Sequence, residues 1–121
     1  MRQFGELEAV VMDRLWALGR PATVREVLTG LDRDPVPAYT TVMTIMDNLH
    51  RKGVLERHSE GRAWAYRPIH SRAEHDAALM TGVLDASTDR AAALLKFADA
   101  IGPAELARLR ELMDSDGAER S

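Results

Sequence analysis

The sequence contains no cysteine among its 121 residues, which excludes disulfide bonds and any metal site built from thiolates. It also has no run of 18 apolar residues, so no segment is expected to insert into a membrane. The N-terminus lacks the apolar stretch of a secretion signal. We therefore expect the protein to remain in the cytoplasm.

Catalytic motifs are missing as well. The chain has neither a glycine-rich phosphate loop nor a nucleophile elbow, so an enzyme is not expected. None of the four histidines has a partner at a paired helical spacing, and no cofactor or metal is predicted. A metal-responsive regulator with His70, His75 and Asp76 near a domain junction remains an alternative.

Positive charge is scarce overall but unevenly distributed. The net charge is −3, yet residues 1–70 hold ten Lys/Arg against nine Asp/Glu, and residues 71–121 hold six against ten. Residues 50–72 alone contain six basic and two acidic groups. Attraction to phosphate is limited by screening to roughly 8–10 Å at ordinary salt, so a local basic patch can bind nucleic acid.

The segment from Pro37 to Pro68 carries the strongest pattern. Two helices are predicted before it, over residues 6–18 and from a capping box at Thr23-Val24-Arg25-Glu26. A third helix is predicted over 38–52, ending at Gly53. Its apolar stripe is Ala38, Val42, Ile45 and Leu49, and its opposite face carries Thr40, Thr44, Asp47, Asn48 and Arg51.

A basic β-hairpin is predicted directly after this helix. Its strands are 54–58 and 63–67, joined by a turn at 59–62, with Pro68 ending the pairing. Trp64 and Tyr66 are expected to anchor it by hydrophobic contacts. The hairpin offers Arg57, Arg62 and Arg67. A polar-faced helix followed by such a hairpin is typical of a winged helix-turn-helix that binds DNA.

The predicted DNA contacts lie on the third helix and the hairpin tip. Small or hydrogen-bonding side chains can meet base edges in a major groove, and arginine or lysine can meet phosphates. A winged helix that binds another protein is the alternative, but Met43 is the only apolar exception on this face. The predicted set is Tyr39, Thr40, Thr41, Thr44, Asp47, Asn48, Arg51, Lys52 and Arg62.

Residues 71–121 are predicted to be a helical dimerisation region that follows a winged-helix domain over 1–70. A second capping box, Ser71-Arg72-Ala73-Glu74, begins three helical pieces separated at 87–89 and at Gly102-Pro103, with a frayed end from Ser115. So short a segment cannot bury its apolar residues alone, and a second copy would cover them. The predicted dimerisation residues are Leu79, Met80, Val83, Leu84, Leu94, Phe97, Ile101, Leu106, Leu109 and Met113.

The chain resembles the BlaI/MecI/CopY family of bacterial transcription regulators. The resemblance rests on residues 7–16, 23–27, 38–44, 49–55 and 61–68, and is weakest from residue 71 onward. It implies a mainly α (α+β) protein: an N-terminal winged helix with a C-terminal helical arm. It further implies a homodimeric repressor that binds double-stranded operator DNA with dyad symmetry.

The same resemblance implies how repression could be relieved. In the β-lactam-responsive branch, a membrane sensor protease cuts the arm just before a phenylalanine, and Phe97 occupies that place here. Lys96 precedes it where those members have asparagine. The copper-responsive branch uses C-terminal cysteines, which this chain lacks. Asn48 stands where relatives often carry arginine, which leaves the operator sequence open.

Overall fold

The structure is a computed structural model that describes residues 3–120, with side chains described as far as residue 117. In chain order its elements are α1 (Glu6–Leu18), β1 (Ala22–Thr23), α2 (Val24–Thr29), α3 (Tyr39–Arg51), β2 (Leu55–Glu60), β3 (Ala63–Pro68), α4 (Arg72–Ala86) and α5 (Arg90–Arg120). The small antiparallel sheet has the strand order β1-β3-β2. The mainly helical fold with a β-hairpin is confirmed. The chain divides into one compact unit up to Leu79 and another from Met80.

The core of the first unit joins α1, α2 and α3 to the sheet. Two of its members are methionines, Met12 and Met46, and both are fully buried. Met46 was not part of the stripe predicted for the third helix. Ala38 was predicted to face inward, which is wrong: it is the exposed N-cap residue of α3. The buried apolar residues are Val11, Met12, Leu15, Ala22, Val24, Val27, Leu31, Val42, Met46, Leu49, Leu55, Ala65 and Tyr66.

Both predicted capping boxes are present. Glu26 N donates to Thr23 Oγ1 at 3.2 Å, and Thr23 N donates to Glu26 Oε1 at 3.1 Å. The second box has Glu74 N to Ser71 Oγ at 3.1 Å and Ser71 N to Glu74 Oε1 at 3.0 Å. These reciprocal bonds satisfy amides at the starts of α2 and α4 that have no partner within the helix.

The hairpin of β2 and β3, here called the wing, turns more tightly than predicted. Strand pairing continues to Glu60 opposite Ala63, so the turn consists of Gly61 and Arg62 alone. Gly61 has φ of 61°, the left-handed conformation that a two-residue turn requires. The pairing also extends to Pro68, one residue beyond the predicted end. Pro68 lies outside the two residues of β3 that pair with β1, where its missing N–H is tolerated.

The start of α4 is fixed to α1 by an aromatic cluster. Trp16 Nε1 donates to the carbonyl oxygen of His70 at 2.9 Å. The buried His75 ring stacks on Phe4 with 4.3 Å between ring centroids, and the Trp16 ring lies 5.6 Å from His75. The first turn of α4 therefore packs as part of the first unit.

The second unit consists of the end of α4 and of α5. Gly102, with φ of 84° and ψ of 167°, interrupts the helical backbone of α5 before Pro103, at the predicted break. The predicted fraying from Ser115 is wrong, because helical backbone continues to Arg120; residue 121 lies outside the described residues. Among the described residues, no helix is long and apolar enough to cross a membrane.

Candidate nucleic-acid interface

The outward face of α3 is polar and open. Thr40, Thr44 and Arg51 are exposed along it, and Asp47 and Asn48 are half-buried between them. Residues three and four apart on a helix are neighbours, so these side chains form one continuous strip. The predicted Thr41 lies beside the strip and is also exposed.

A hydrogen-bonded cluster occupies the C-terminal half of this strip. Arg51 Nη2 donates to Asp47 Oδ2 at 2.7 Å and to Asn48 Oδ1 at 2.9 Å. The second carboxylate oxygen of Asp47 accepts from Arg57 Nη1 of β2 at 3.2 Å. One carboxylate thus holds two guanidinium groups, one from α3 and one from the wing.

Arg57 is enclosed on its other side by an aromatic ring. Its guanidinium carbon lies 4.3 Å from the centroid of the Trp64 ring, within the range of a cation–π contact. Tyr66 is buried, as expected for a hydrophobic anchor of the wing. The same expectation for Trp64 is wrong, since its side chain is 47% exposed and covers Arg57.

The wing tip presents Arg62 to solvent. It occupies the second position of the turn, and among the described residues no carboxylate pairs with it. Together with Tyr39, Met43 and Trp64 it lines a cleft of about 380 Å³ between α3 and the wing.

Arg25 borders the same cleft and was missed at the sequence level. Its guanidinium carbon lies 5.5 Å from the centroid of the Tyr39 ring, and both side chains are exposed. In the sequence, Arg25 stands only as an interior residue of the capping box at 23–26. The sequence did contain a sign that Arg25 acts outside its helix. The partial positive charge at the start of a helix disfavours an arginine in the first turn. An arginine there suggests a role outside its own helix.

Two other basic residues lie apart from this surface. Lys52 Nζ pairs with Glu8 Oε2 of α1 at 3.1 Å, so the structure turns it toward α1. Its predicted DNA contact remains a prediction. Arg67 pairs with Glu56 at the base of the hairpin, at the opposite end from the tip. The wing arginines therefore do not form one patch.

Two of the four histidines are engaged in packing or backbone contacts. His50 Nδ1 lies 3.1 Å from the carbonyl oxygen of Leu55, and His75 stacks on Phe4. In the part of the chain that the structure describes, no group of three or more His, Asp or Glu side chains could hold a metal ion. The metal-responsive alternative has no supporting site there.

Large apolar side chains of the second unit are open to solvent. Val83 is 71% exposed and Met113 is 64% exposed, and Leu95 and Leu112, which were not in the predicted set, are also exposed. Contiguous exposed apolar side chains are typical of interaction surfaces. Of the predicted dimerisation residues, Leu79, Leu84 and Ile101 are half-buried, and Met80, Val83, Leu94, Phe97, Leu106, Leu109 and Met113 are exposed.

Sequence comparison finds regulators. The family model described as penicillinase repressor matches residues 4–115. The chain is 38% identical over 116 residues to the transcriptional regulator BlaI of Mycobacterium tuberculosis, in each of two strains. That match covers 93% of this chain and 84% of the relative.

Structural comparison finds DNA-binding domains. The DNA-binding domain of the repressor BlaI matches with a TM-score of 0.52 and 28% identity, covering 60% of this chain and 87% of that one. Bacillus licheniformis BlaI, in its monomeric form in complex with the blaP half-operator, matches with a TM-score of 0.50 and 27% identity. That match covers 60% of this chain and 88% of the other. The winged-helix prediction is thereby confirmed.

Proposed function

The chain belongs to the penicillinase repressor family, and from this membership and the geometry of α3 we propose that it is a homodimeric repressor of a dyad-symmetric operator. It is a transcriptional repressor that binds DNA, and its membership of a family of such regulators confirms that it is not an enzyme. The proposal adds the dimer, the form of the operator, the contacting residues and the means of release. The site of action would be the cytoplasm.

The observation that carries the proposal is the polar strip of α3 beside the wing. An exposed helix face with short hydroxyl and amide side chains fits a major groove, which is wide enough for an α-helix. Thr44 and Asn48 are the proposed base contacts. Arg62 at the wing tip and Arg25 beside the cleft are the proposed phosphate contacts. Bacillus licheniformis BlaI, which is in complex with a half-operator, supports DNA binding by a chain of similar fold.

Exposed leucines, methionines and Phe97 in the second unit support a dimer. Their burial against a second copy would remove large apolar surfaces from water, at roughly 25 cal/mol per Å². A twofold dimer places two copies of α3 on two half-sites. If each copy enters a major groove, the half-sites lie about 34–36 Å apart or a multiple of it.

We also propose that proteolysis in α5 releases the protein from its operator. The bond between Lys96 and Phe97 lies in the segment of α5 before the break at Gly102, and both residues are exposed in the single chain. A membrane sensor protease that cut there would detach Leu106, Leu109 and Met113 from the first unit. Loss of these residues would cause the dimer to dissociate into monomers, each with one winged helix.

Selection of bound duplexes from a random DNA pool tests the proposal directly. We expect an inverted repeat to be enriched, and footprinting of the enriched duplex should show two protected half-sites. Sedimentation of the complex should give two chains per duplex. Enrichment of an unsymmetrical single site would contradict the dimer, and absence of any enrichment would favour a winged helix that binds another protein.

A further inference from the structure

A carboxylate on the proposed DNA-binding face calls for an explanation. Asp47 faces the same side as Arg51, where its charge would repel phosphate. It is 38% exposed, and its two oxygens are both engaged, one by Arg51 and one by Arg57. The carboxylate therefore neutralises part of the charge of two arginines and joins them across the gap between α3 and β2.

Arg57 is restrained far more than the other basic groups of this surface. Its side chain is 26% exposed, compared with 68% for Arg51. The Asp47 carboxylate holds its Nη1 and the Trp64 ring covers its guanidinium. A guanidinium held on both sides is poorly placed to leave for a phosphate. Its geometry suits a structural link between the wing and α3. We call the contacts of Arg57 with Asp47 and Trp64 the brace.

The brace extends to the amide of Asn48. Arg51 carries only donors, so the atom of Asn48 that faces Arg51 Nη2 at 2.9 Å has to be the carbonyl oxygen Oδ1. The amide nitrogen of Asn48 is then turned away from Arg51. Asn48 accordingly offers hydrogen-bond donors outward, which suit acceptors on a base edge such as guanine O6 and N7 or thymine O4.

We infer that Arg57 is a positioning residue and Asp47 a specificity-determining residue for operator recognition. Arg57 fixes Asp47, Asp47 fixes Arg51, and Arg51 sets the orientation of the Asn48 amide. The inference rests on the proposed function, because it assumes that α3 meets base edges. It assigns to a wing residue a role in base discrimination that does not require contact with DNA.

The test is a double-mutant cycle with Asp47→Ala, Arg57→Met and the two combined. The DNA is the best inverted repeat selected from the random pool, and a random-sequence duplex of equal length is the competitor. For each variant, two quantities are measured: the ratio of the two affinities, and the dependence of random-duplex affinity on salt. Arg57→Gln, which keeps much of the stem but removes the charge that pairs with Asp47, replaces Arg57→Met if that variant does not fold.

Each single substitution should lower the affinity ratio about tenfold, the factor for a coupling of roughly 1.4 kcal/mol. The double variant should be no worse than either single one, because both break the same chain of contacts. Arg57→Met should leave the salt dependence unchanged. Asp47→Ala should tighten binding to the random duplex and steepen its salt dependence by about one phosphate contact per subunit, since Arg51 is released.

Arg67→Met is the matched control. Arg67 is also a wing arginine paired with a carboxylate, Glu56, but among the described residues it has no hydrogen bond or ion pair to α3. Its substitution should leave the affinity ratio unchanged.

Two results would overturn the inference. One is additive loss in the double variant. The other is a weaker salt dependence in Arg57→Met with an unchanged ratio, which would make Arg57 a direct phosphate contact. If the unsubstituted protein selects no sequence at all, the proposed function itself fails. If the unsubstituted protein does select an inverted repeat and either of the two results above is then found, only the inference fails and the proposed function stands.

Discussion

The arginines of the interface differ in whether a carboxylate already holds them. Arg51 and Arg57 share Asp47, and Arg67 pairs with Glu56. Arg62 has no such pair in the described part of the chain. A guanidinium that exchanges only water for phosphate gives up no internal contact on binding. Arg62 should therefore contribute more to phosphate affinity than its neighbours on the wing.

We predict that Arg62→Ala weakens binding to the selected operator and to random DNA by the same factor. The substitution removes a phosphate contact and no base contact, so the slope of log affinity against log salt should fall by about 0.9 per subunit. Titrations at several salt concentrations measure it. Arg67→Ala is the control and should leave the slope unchanged. A loss confined to the operator would show that Arg62 contacts bases instead.

The two capping boxes make the starts of α2 and α4 dependent on ionised glutamates. The backbone N–H of Thr23 lowers the pKa of Glu26 below its ordinary value of 4.5, assisted by Arg20. The backbone N–H of Ser71 lowers the pKa of Glu74 in the same way. A lowered pKa in the folded state means that the carboxylate stabilises the fold above pH 4.5. That stabilisation is lost as the pH falls through the lowered pKa.

Glu26→Gln should lower the thermal unfolding midpoint at pH 7, because the amide lacks the charge that favours the bonds from Thr23 and Arg20. The difference from the unsubstituted protein should shrink as the pH falls below 4.5 and disappear below the lowered pKa of Glu26, where the folded protein also carries a protonated, glutamine-like side chain. Circular dichroism melts between pH 7 and pH 3 measure it. A difference that stays constant with pH would show that the charge of Glu26 does not stabilise α2.

The sequence predicted correctly those features that depend on residues close together in the chain. Thr23 and Glu26 lie three residues apart, so their capping box is visible in the sequence. The Gly61-Arg62 turn was not, because its length depends on which residues of β2 and β3 face each other. Val42 and Leu49 were assigned correctly by periodicity, but periodicity alone did not identify Met46, whose burial depends on how α3 meets α1.

At the candidate site, the structure differs from the sequence-based prediction where side chains of different helices and strands contact each other. Asp47 and Arg57 are ten residues apart, and their ion pair exists only because the wing folds back beside α3. Asp47 and Arg51 pair within α3, four positions apart, but no comparable spacing in the sequence indicates a partner for Arg57. Lys52 likewise forms an ion pair with Glu8, which lies forty-four residues away in the sequence.

The two compact units have different proposed functions: the first binds DNA and the second dimerises. The first unit has its own buried core and carries the polar strip of α3 and the wing. The second presents exposed apolar helices. A protein built in this way can lose its second unit and keep the first one folded.

A chain that ends at Lys96 should fold, remain monomeric and bind the operator about 10²–10⁴ times more weakly, because two linked half-site contacts become independent. It would lack Phe97, Leu106, Leu109 and Met113, each worth roughly 1.5–3 kcal/mol if buried in the dimer. Ultracentrifugation and gel shifts measure both properties. A truncated chain that still dimerises and binds with full affinity would exclude the C-terminal part of α5 as the dimer contact.

The shared carboxylate of Asp47 also bears on how such a repressor could acquire a new operator during evolution. A substitution at Arg51 alone would leave Asp47 paired only with Arg57, and the cluster would lose its net positive charge beside the DNA. A substitution at Arg57 would disturb α3 from outside it. Genetic changes of operator preference should therefore arise as combinations, in which replacement of Asp47 comes first and makes later changes at Asn48 or Arg51 tolerable.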